Sequence, residues 1–338
     1  MTVQKTSLFQ GILLVIATVP ITLGSSIALG EIPQQDNRIE QLAQNSHQGR
    51  LRELLERGRN LVNAGDYEAA AQVYRQASNL DSDNARIFSG LGYVEATLEN
   101  YEAAAEAYEK AVELEPDNAD FQFALAHSLA KTEDYSAATN AYHRAARLDP
   151  ENIKPYLGLG VVLLRQDDRA GALSMYEKAL TIDPNHEEAN AILGSLLVKE
   201  GEYEKAKSHL ETALEKNPRE AGAWVSLGQV YQAQGELTDA QSAYQSAIRI
   251  DSQLVEALVS LGEVQLQKET YTRAITTYRR ILELAPDTPG AYYNLGLALK
   301  GRNRNTEARE AFETAHDLFT EDQNADGQER SKMQLENL

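Results

Sequence analysis

The chain has 338 residues, is 42% hydrophobic and carries a formal net charge of −19. Cysteine is absent, which excludes disulfides, thiolate metal sites, a cysteine nucleophile and a bacterial lipoprotein anchor. So acidic a surface disfavours nucleic acid, whose phosphates must be neutralised by basic side chains.

The N-terminus reads as a targeting segment. Lys5 precedes an uncharged stretch from Ser7 to Gly30 with an apolar heart from Gly11 to Val19. Pro20 ends that heart, and Ala28-Leu29-Gly30 before Glu31 fits a signal-peptidase site. The stretch also exceeds the ~20 residues that span a bilayer, so a retained membrane anchor is the alternative to cleavage. Pro20 and the small-residue site have no role in an anchor and favour cleavage. Either reading places the rest of the chain on the extracytoplasmic (periplasmic) side, with the Lys5 end inside. Residues 31–50, rich in Gln and Asn and containing Pro33, are expected to form a polar linker.

From residue 51 onward the chain is periodic. Alanine recurs every 34 residues at Ala70, Ala104, Ala138, Ala172, Ala206, Ala240, Ala274 and Ala308. Gly58, Gly92, Gly160, Gly194, Gly228, Gly262 and Gly296 keep the same phase, with Ala126 interrupting the series. Ser82, Pro116, Pro150, Pro184, Pro218, Ser252 and Pro286 punctuate the ends, and proline stops a helix because it cannot continue the hydrogen-bond ladder. Fixed-period self-similarity marks a solenoid, here of two short helices and a turn per repeat. The expected repeats are 51–84, 85–118, 119–152, 153–186, 187–220, 221–254, 255–288 and 289–322, with 323–338 as a polar tail and weak cap.

Counted from Leu51, the repeats carry a large residue at the fourth position and Leu-Gly at the seventh and eighth. Alanine follows at the twentieth, an aromatic at the twenty-fourth, alanine at the twenty-seventh and proline at the thirty-second. The sixth repeat carries this best, with Trp224, Leu227, Gly228, Tyr231, Ala240, Tyr244 and Ala247. The pattern resembles the tetratricopeptide repeat (TPR), over all but the first fifty and last sixteen residues. The resemblance implies an all-α, right-handed superhelical solenoid of helix-turn-helix repeats. It also implies a non-enzymatic scaffold that binds protein or peptide segments along a concave groove. The first helices of the family line that groove through their second, fifth, ninth, twelfth and thirteenth positions.

Catalytic signals are missing. The histidines are scattered, and His186-Glu187-Glu188 lacks the second histidine of a zinc protease motif. Gly158-Leu159-Gly160 is a lone GxG without a preceding strand, and its second glycine belongs to the repeat pattern. No enzyme activity and no cofactor are expected. Asp322, Asn324, Asp326 and Gly327 open like a calcium loop, but Met333 stands where the bidentate glutamate is needed. A polar turn is the expectation there.

Subtracting the repeat pattern leaves the candidate site. Fourteen of sixteen tyrosines occupy recurring positions, and only Tyr93 and Tyr293 do not. Tyr93 and His127 fall at ninth positions, and Phe123 at a fifth. Leu157, Val161, Leu164, Val198 and Val225 extend these rows as aliphatic residues. Lys131, Arg165 and Lys199 share the thirteenth position of three successive repeats. The expected peptide-binding set is therefore Tyr93, Phe123, His127, Lys131, Leu157, Val161, Arg165 and Lys199. Its apolar members would take apolar side chains, and its basic row a carboxylate.

Other groove chemistries in the family do not carry over. The clamp for chaperone C-termini would need a Lys/Asn/Arg set where Leu55, Arg59, Gly90, Asp120 and Ala124 stand. An asparagine ladder at the sixth position is met only by Asn294. A competing reading is assembly through the ends of the solenoid. The tail offers only Met333, Leu335 and Leu338 as large apolar residues, so a face around Leu318 and Phe319 is expected to be open for self-pairing.

Overall fold

The computed structural model describes residues 34–338. The expected signal or anchor segment, 1–30, lies outside the described residues. The chain divides into two compact units, 1–168 and 169–338, and each is described by itself.

The first unit contains α1 (Gln34–Ala64), α2 (Tyr67–Leu80), α3 (Ala85–Thr97), α4 (Tyr101–Leu114), α5 (Ala119–Lys131), α6 (Tyr135–Leu148) and α7 (Ile153–Arg165). Helices adjacent in sequence pack on one another, and the first helices also touch in series, α3 on α5 and α5 on α7. The second unit contains α8 (Arg169–Ile182), α9 (Glu187–Lys199), α10 (Tyr203–Lys216), α11 (Ala221–Ala233), α12 (Leu237–Ile250), α13 (Val255–Gln267), α14 (Tyr271–Leu284), α15 (Pro289–Gly301), α16 (Asn305–Glu321) and α17 (Ala325–Glu336). Among the described residues every element is α-helical, and the fold class is the expected all-α solenoid of paired helices.

Local chemistry sets the helix ends. Asn84, Asn118 and Asn152 accept backbone N–H groups at the starts of α3, α5 and α7, each satisfying an orphan donor of the first turn. The first helices end on a residue with positive φ, at Gly65, Glu99, Glu133, Asp167, Gly201, Gly235, Glu269 and Asn303. The next N–H reaches back to close the helix, as in Asp66 N to Leu61 O at 2.9 Å and Asp134 N to Leu129 O at 3.0 Å. Five of these eight positions carry a side chain in the left-handed region, where only glycine is free of a steric penalty.

Packing explains the alanine series. All eight alanines of the 34-residue spacing have 0% exposure, since they mark where the paired backbones come closest. The ring at the twenty-fourth position fills the gap beside them. Tyr108, Tyr244, Tyr278 and Phe312 each lie over the glycine of their own repeat, at Gly92, Gly228, Gly262 and Gly296. In the fifth repeat Leu210 takes the ring's place over Gly194.

Tyr142 is the instructive case. Its own repeat offers Ala126 instead of glycine, and the ring presses on Gly158 of the next repeat. A Cβ at Gly158 would lie 2.5 Å from Tyr142 Cε1 and 2.8 Å from its Oη. The first glycine of the GxG therefore serves packing against that ring, and the second is buried in α7.

The fourth position has a function hidden from the pattern. Gln122 Nε2 donates to Pro116 O at 3.1 Å, Asn190 Nδ2 to Pro184 O at 2.9 Å and Trp224 Nε1 to Pro218 O at 2.9 Å. Tyr156 Oη donates to Pro150 O at 3.4 Å in the same way. The carbonyl that closes one repeat is thus satisfied by the opening helix of the next. At the sixth-to-seventh junction the fourth residue is Leu258, which cannot donate. There Arg280 Nη2, from α14, donates to Ser252 O at 2.5 Å.

Two expectations are corrected at the ends. Residues 34–50, read as linker, continue as the first half of α1. Between Gln34 and Gln48 the sequence has neither glycine nor proline, so nothing interrupts a helix already held by the packed residues beyond Leu51. His47 Nε2 also meets Leu80 O at 2.9 Å. The tail forms α17 and covers the last pair. Gly327 lies against the Phe319 ring, 2.7 Å from Cδ2 for an added Cβ, and Phe319 is only 6% exposed. Leu318 is half-buried, and Leu335 and Leu338 pack on the core of α13 to α16. The open face expected around Leu318 and Phe319 is therefore closed.

Candidate functional site

The first-helix face of the first unit carries six of the eight expected site residues, with Lys131, Val161 and Arg165 exposed and Tyr93, His127 and Leu157 half-buried. Tyr93 on α3, His127 on α5 and Val161 on α7 share the ninth position, and the contacts of α3 on α5 and α5 on α7 align them. Tyr93 is half-buried against the Val62–Tyr74 core. Burial raises its phenol pKa, Tyr67 adds to that, and the Thr97 hydroxyl lowers it. Val161 is 46% exposed, the most accessible large aliphatic residue of the row. Leu157 is half-buried beside it, and Lys131 and Arg165 are exposed at the ends of α5 and α7.

His127 sits at the centre of a small cluster. Its ring meets the Tyr101 ring edge-on at 6.4 Å, and the Lys131 ammonium lies 5.9 Å from the same Tyr101 ring. Burial and then Lys131 push the imidazole pKa down to about 4, so the ring is neutral at pH 7. A neutral imidazole beside a lysine over an aromatic ring leaves one positive charge at that point, attracted by the ring's negative face.

Two members leave the accessible set. Phe123 is 6% exposed and its ring packs on Tyr142 at 5.8 Å, so it forms the floor of the face. The expectation of an accessible aromatic there is corrected: the ring is covered by its packing against Tyr142. Lys199 is exposed on α9 of the second unit. Among the other groove residues, Val225 is 3% exposed and belongs to the core of α11 to α13. Tyr293 is covered from two sides, by the Phe312 ring at 5.6 Å and by the Arg330 guanidinium at 5.5 Å.

Tyr101 was missed by subtraction. It occupies a recurring seventeenth position, which reads as scaffold, yet it touches the ninth- and thirteenth-position residues of the following repeat. The signal was available in the spacing, because the start of a second helix adjoins the next first helix. The same geometry appears at Tyr271, whose ring would meet a Cβ at Gly301 at 2.6 Å.

The calcium-like residues have other employment. Asn324 caps α17 by accepting Gly327 N at 3.0 Å, and Asp326 pairs with Arg330 at 3.0 Å. Among the described residues no group of three acidic, histidine or cysteine side chains is arranged to hold a metal.

Comparisons with known proteins agree with this architecture. The tetratricopeptide repeat profile matches residues 55–119, 227–289 and 259–322. The profile for the middle TPR-like domain of cilia and flagella-associated protein 70 matches residues 123–251. A 39-residue stretch is 51% identical to a TPR repeat-containing protein of Picosynechococcus, covering 12% of this chain and 10% of that one. Among solved structures, the C-terminal part of a TPR repeat-containing protein from Cytophaga hutchinsonii matches with a TM-score of 0.59 at 18% identity, over 71% of this chain and 98% of that one. PilF of Pseudomonas aeruginosa matches at 0.54 and 21% identity, over 66% and 99%. YrrB, described as a TPR protein with an unusual peptide-binding site, matches at 0.50 and 24%, over 56% and 98%. These likenesses concern the fold. The two profile matches, with the repeat packing, make the chain a tetratricopeptide-repeat protein, an all-α solenoid of paired helices.

Proposed function

We propose that this protein is an exported scaffold that captures an extended protein segment on the first-helix face of residues 85–168. TPR folds mediate protein–protein contacts and are characteristically non-catalytic. In this reading Val161 and Leu157 take an aliphatic side chain, and Tyr93 and Tyr101 flank it. Lys131 and Arg165 orient an acidic group, with Lys199 continuing the basic row in the sequence. The observation that carries it is Val161, a 46% exposed aliphatic beside two exposed cations in a chain of net charge −19. An exposed apolar residue rimmed by charge of one sign suits a charged amphipathic segment.

The test is binding of the full chain to labelled acidic peptides with an aliphatic centre. Photo-crosslinked peptide should map to residues 85–168, and replacing Lys131, Arg165 and Lys199 together with glutamate should abolish that crosslink, whereas an unchanged crosslink there refutes the groove. Export rests on residues 1–30, and N-terminal sequencing of protein from the extracytoplasmic fraction tests it. A mature start at Glu31 supports cleavage, an intact Met1 in the membrane fraction supports the anchor, and recovery only from the cytoplasm refutes both. Assembly through the solenoid's last face is the weaker reading, because α17 covers Phe319.

A further inference from the structure

A second recessed surface lies on the opposite set of helices, within the second unit. Ser242, Gln245, Ser246 and Arg249 form one face of α12, and Thr276, Thr277 and Arg280 form one face of α14. Between them, Leu258 and Leu261 of α13 make an apolar floor with Ile248. The crevice has a volume of about 590 Å³, within the range of binding clefts.

Its charge sets it apart. No carboxylate lines it, and among the described residues neither guanidinium has an acidic partner within ion-pair distance. Arg279, next to Arg280, does pair, with Glu307 at 3.2 Å. Arg249 Nη2 instead donates to Ser246 Oγ at 2.8 Å, a bond that fixes the side chain along its own helix. Arg280 reaches Ser252 O, one residue past the C-cap of α12, while Arg249 lies in the last turn of that helix. Both cations therefore stand at the same end of the crevice. The hydroxyls of Ser242 and Thr276 occupy the other.

We propose that the crevice between α12 and α14 binds an acidic segment of a partner polypeptide, with Arg249 and Arg280 taking adjacent carboxylates and the Ile248–Leu258–Leu261 floor taking an aliphatic side chain beside them. From Ser242 to Arg249 the wall rises roughly 10 Å at 1.5 Å per residue. That accommodates about three residues of extended chain at ~3.3 Å each. Guanidinium groups hold carboxylates through two parallel N–H donors, and both retain donors beyond the single bond each makes here. At the other end the Ser242 and Thr276 hydroxyls donate to Thr238 O and Thr272 O of their own helices, and their oxygens keep acceptor capacity for backbone N–H groups of such a segment. This site is independent of the first-helix face, and neither proposal needs the other.

Fluorescence anisotropy of the full chain with labelled nonapeptides containing Leu-Glu-Glu, and with Leu-Gln-Gln counterparts, tests it. The acidic peptide should bind saturably and at least about tenfold more tightly than the amide peptide, a difference of ~1.4 kcal/mol. The double variant Arg249→Gln with Arg280→Gln should lose about tenfold, and the Lys131→Glu/Arg165→Glu/Lys199→Glu variant should keep this binding. Arg280→Lys retains a charge and a donor for Ser252 O but not the two parallel donors, so it should keep the parent's urea midpoint while its affinity falls between those of the parent and the double glutamine variant. Equal affinity for both peptides, unchanged affinity in the double glutamine variant, or equally effective competition by acetate alone overturns the proposal. Binding that disappears only in the triple glutamate variant also overturns it and assigns the peptide to the first-helix face.

Discussion

Gly158→Ala is the most informative single perturbation of the packing. In an exposed helix, replacing glycine by alanine stabilises by about 0.5–1 kcal/mol, because alanine loses less backbone freedom on folding. At Gly158 the added methyl meets the ring of Tyr142, with Cε1 at 2.5 Å and Oη at 2.8 Å. The ring cannot withdraw freely, since it is 3% exposed and has Phe123 on it. Overpacking of this kind costs about 1–3 kcal/mol, so the net effect should be a loss of about 1 kcal/mol. Gly290, with nothing within 4 Å of a built Cβ, is the internal control and should give a gain under Gly290→Ala.

The assay is the urea midpoint at fixed pH for the parent and both variants. A rescue sharpens it: Ala126→Gly opens space for Tyr142 over its own repeat. Combined with Gly158→Ala it should be less destabilising than the sum of the single changes, with a coupling of about 1 kcal/mol. A Gly158→Ala variant as stable as Gly290→Ala, or strict additivity with Ala126→Gly, would refute the account of why glycine stands at Gly158.

Further outcomes follow from other contacts. Asn190→Leu removes a buried side chain that serves Pro184 O, His186 O and His209, and should cost about 2–3 kcal/mol by chemical denaturation. His127 has a folded-state pKa depressed to about 4 against 6.5, so the unfolded chain binds the extra proton between those values. Stability should therefore fall as pH drops from about 6.5 towards 4, and His127→Phe should flatten that slope in urea midpoints measured across the window. Truncation after Gln323 exposes Phe319 and should convert the protein to a self-associating species by sedimentation, whereas a monomeric truncated chain would show that α17 is not needed as a cover.

The period of the sequence makes the backbone legible, because glycine and alanine recur wherever two helices must approach closely. What escaped was anything that depends on one repeat meeting the next. Phe123 looks like a groove residue by position, yet its ring is buried against Tyr142. Tyr101 looks like scaffold by position, yet it stands beside His127 and Lys131. The helix of residues 34–50 was hidden by a Gln- and Asn-rich composition that signals polarity without fixing conformation. The tail's few apolar residues suggested a poor cap, but Gly327 and the two terminal leucines are spaced to close over Phe319 and the core. Single-repeat arithmetic has no access to such neighbour effects.

The hydrogen bonds from the fourth position to the preceding carbonyl make the array divisible, but not everywhere. At Pro116, Pro150, Pro184 and Pro218 the donor follows its acceptor by six residues across the repeat boundary, so a cut made just before the proline carries both together. At Ser252 the donor is Arg280, 28 residues away on the next second helix. A seventh repeat grafted without α14 would leave that carbonyl unmet, and the join between sixth and seventh repeats is a seam where engineered shortening or circular permutation should be avoided.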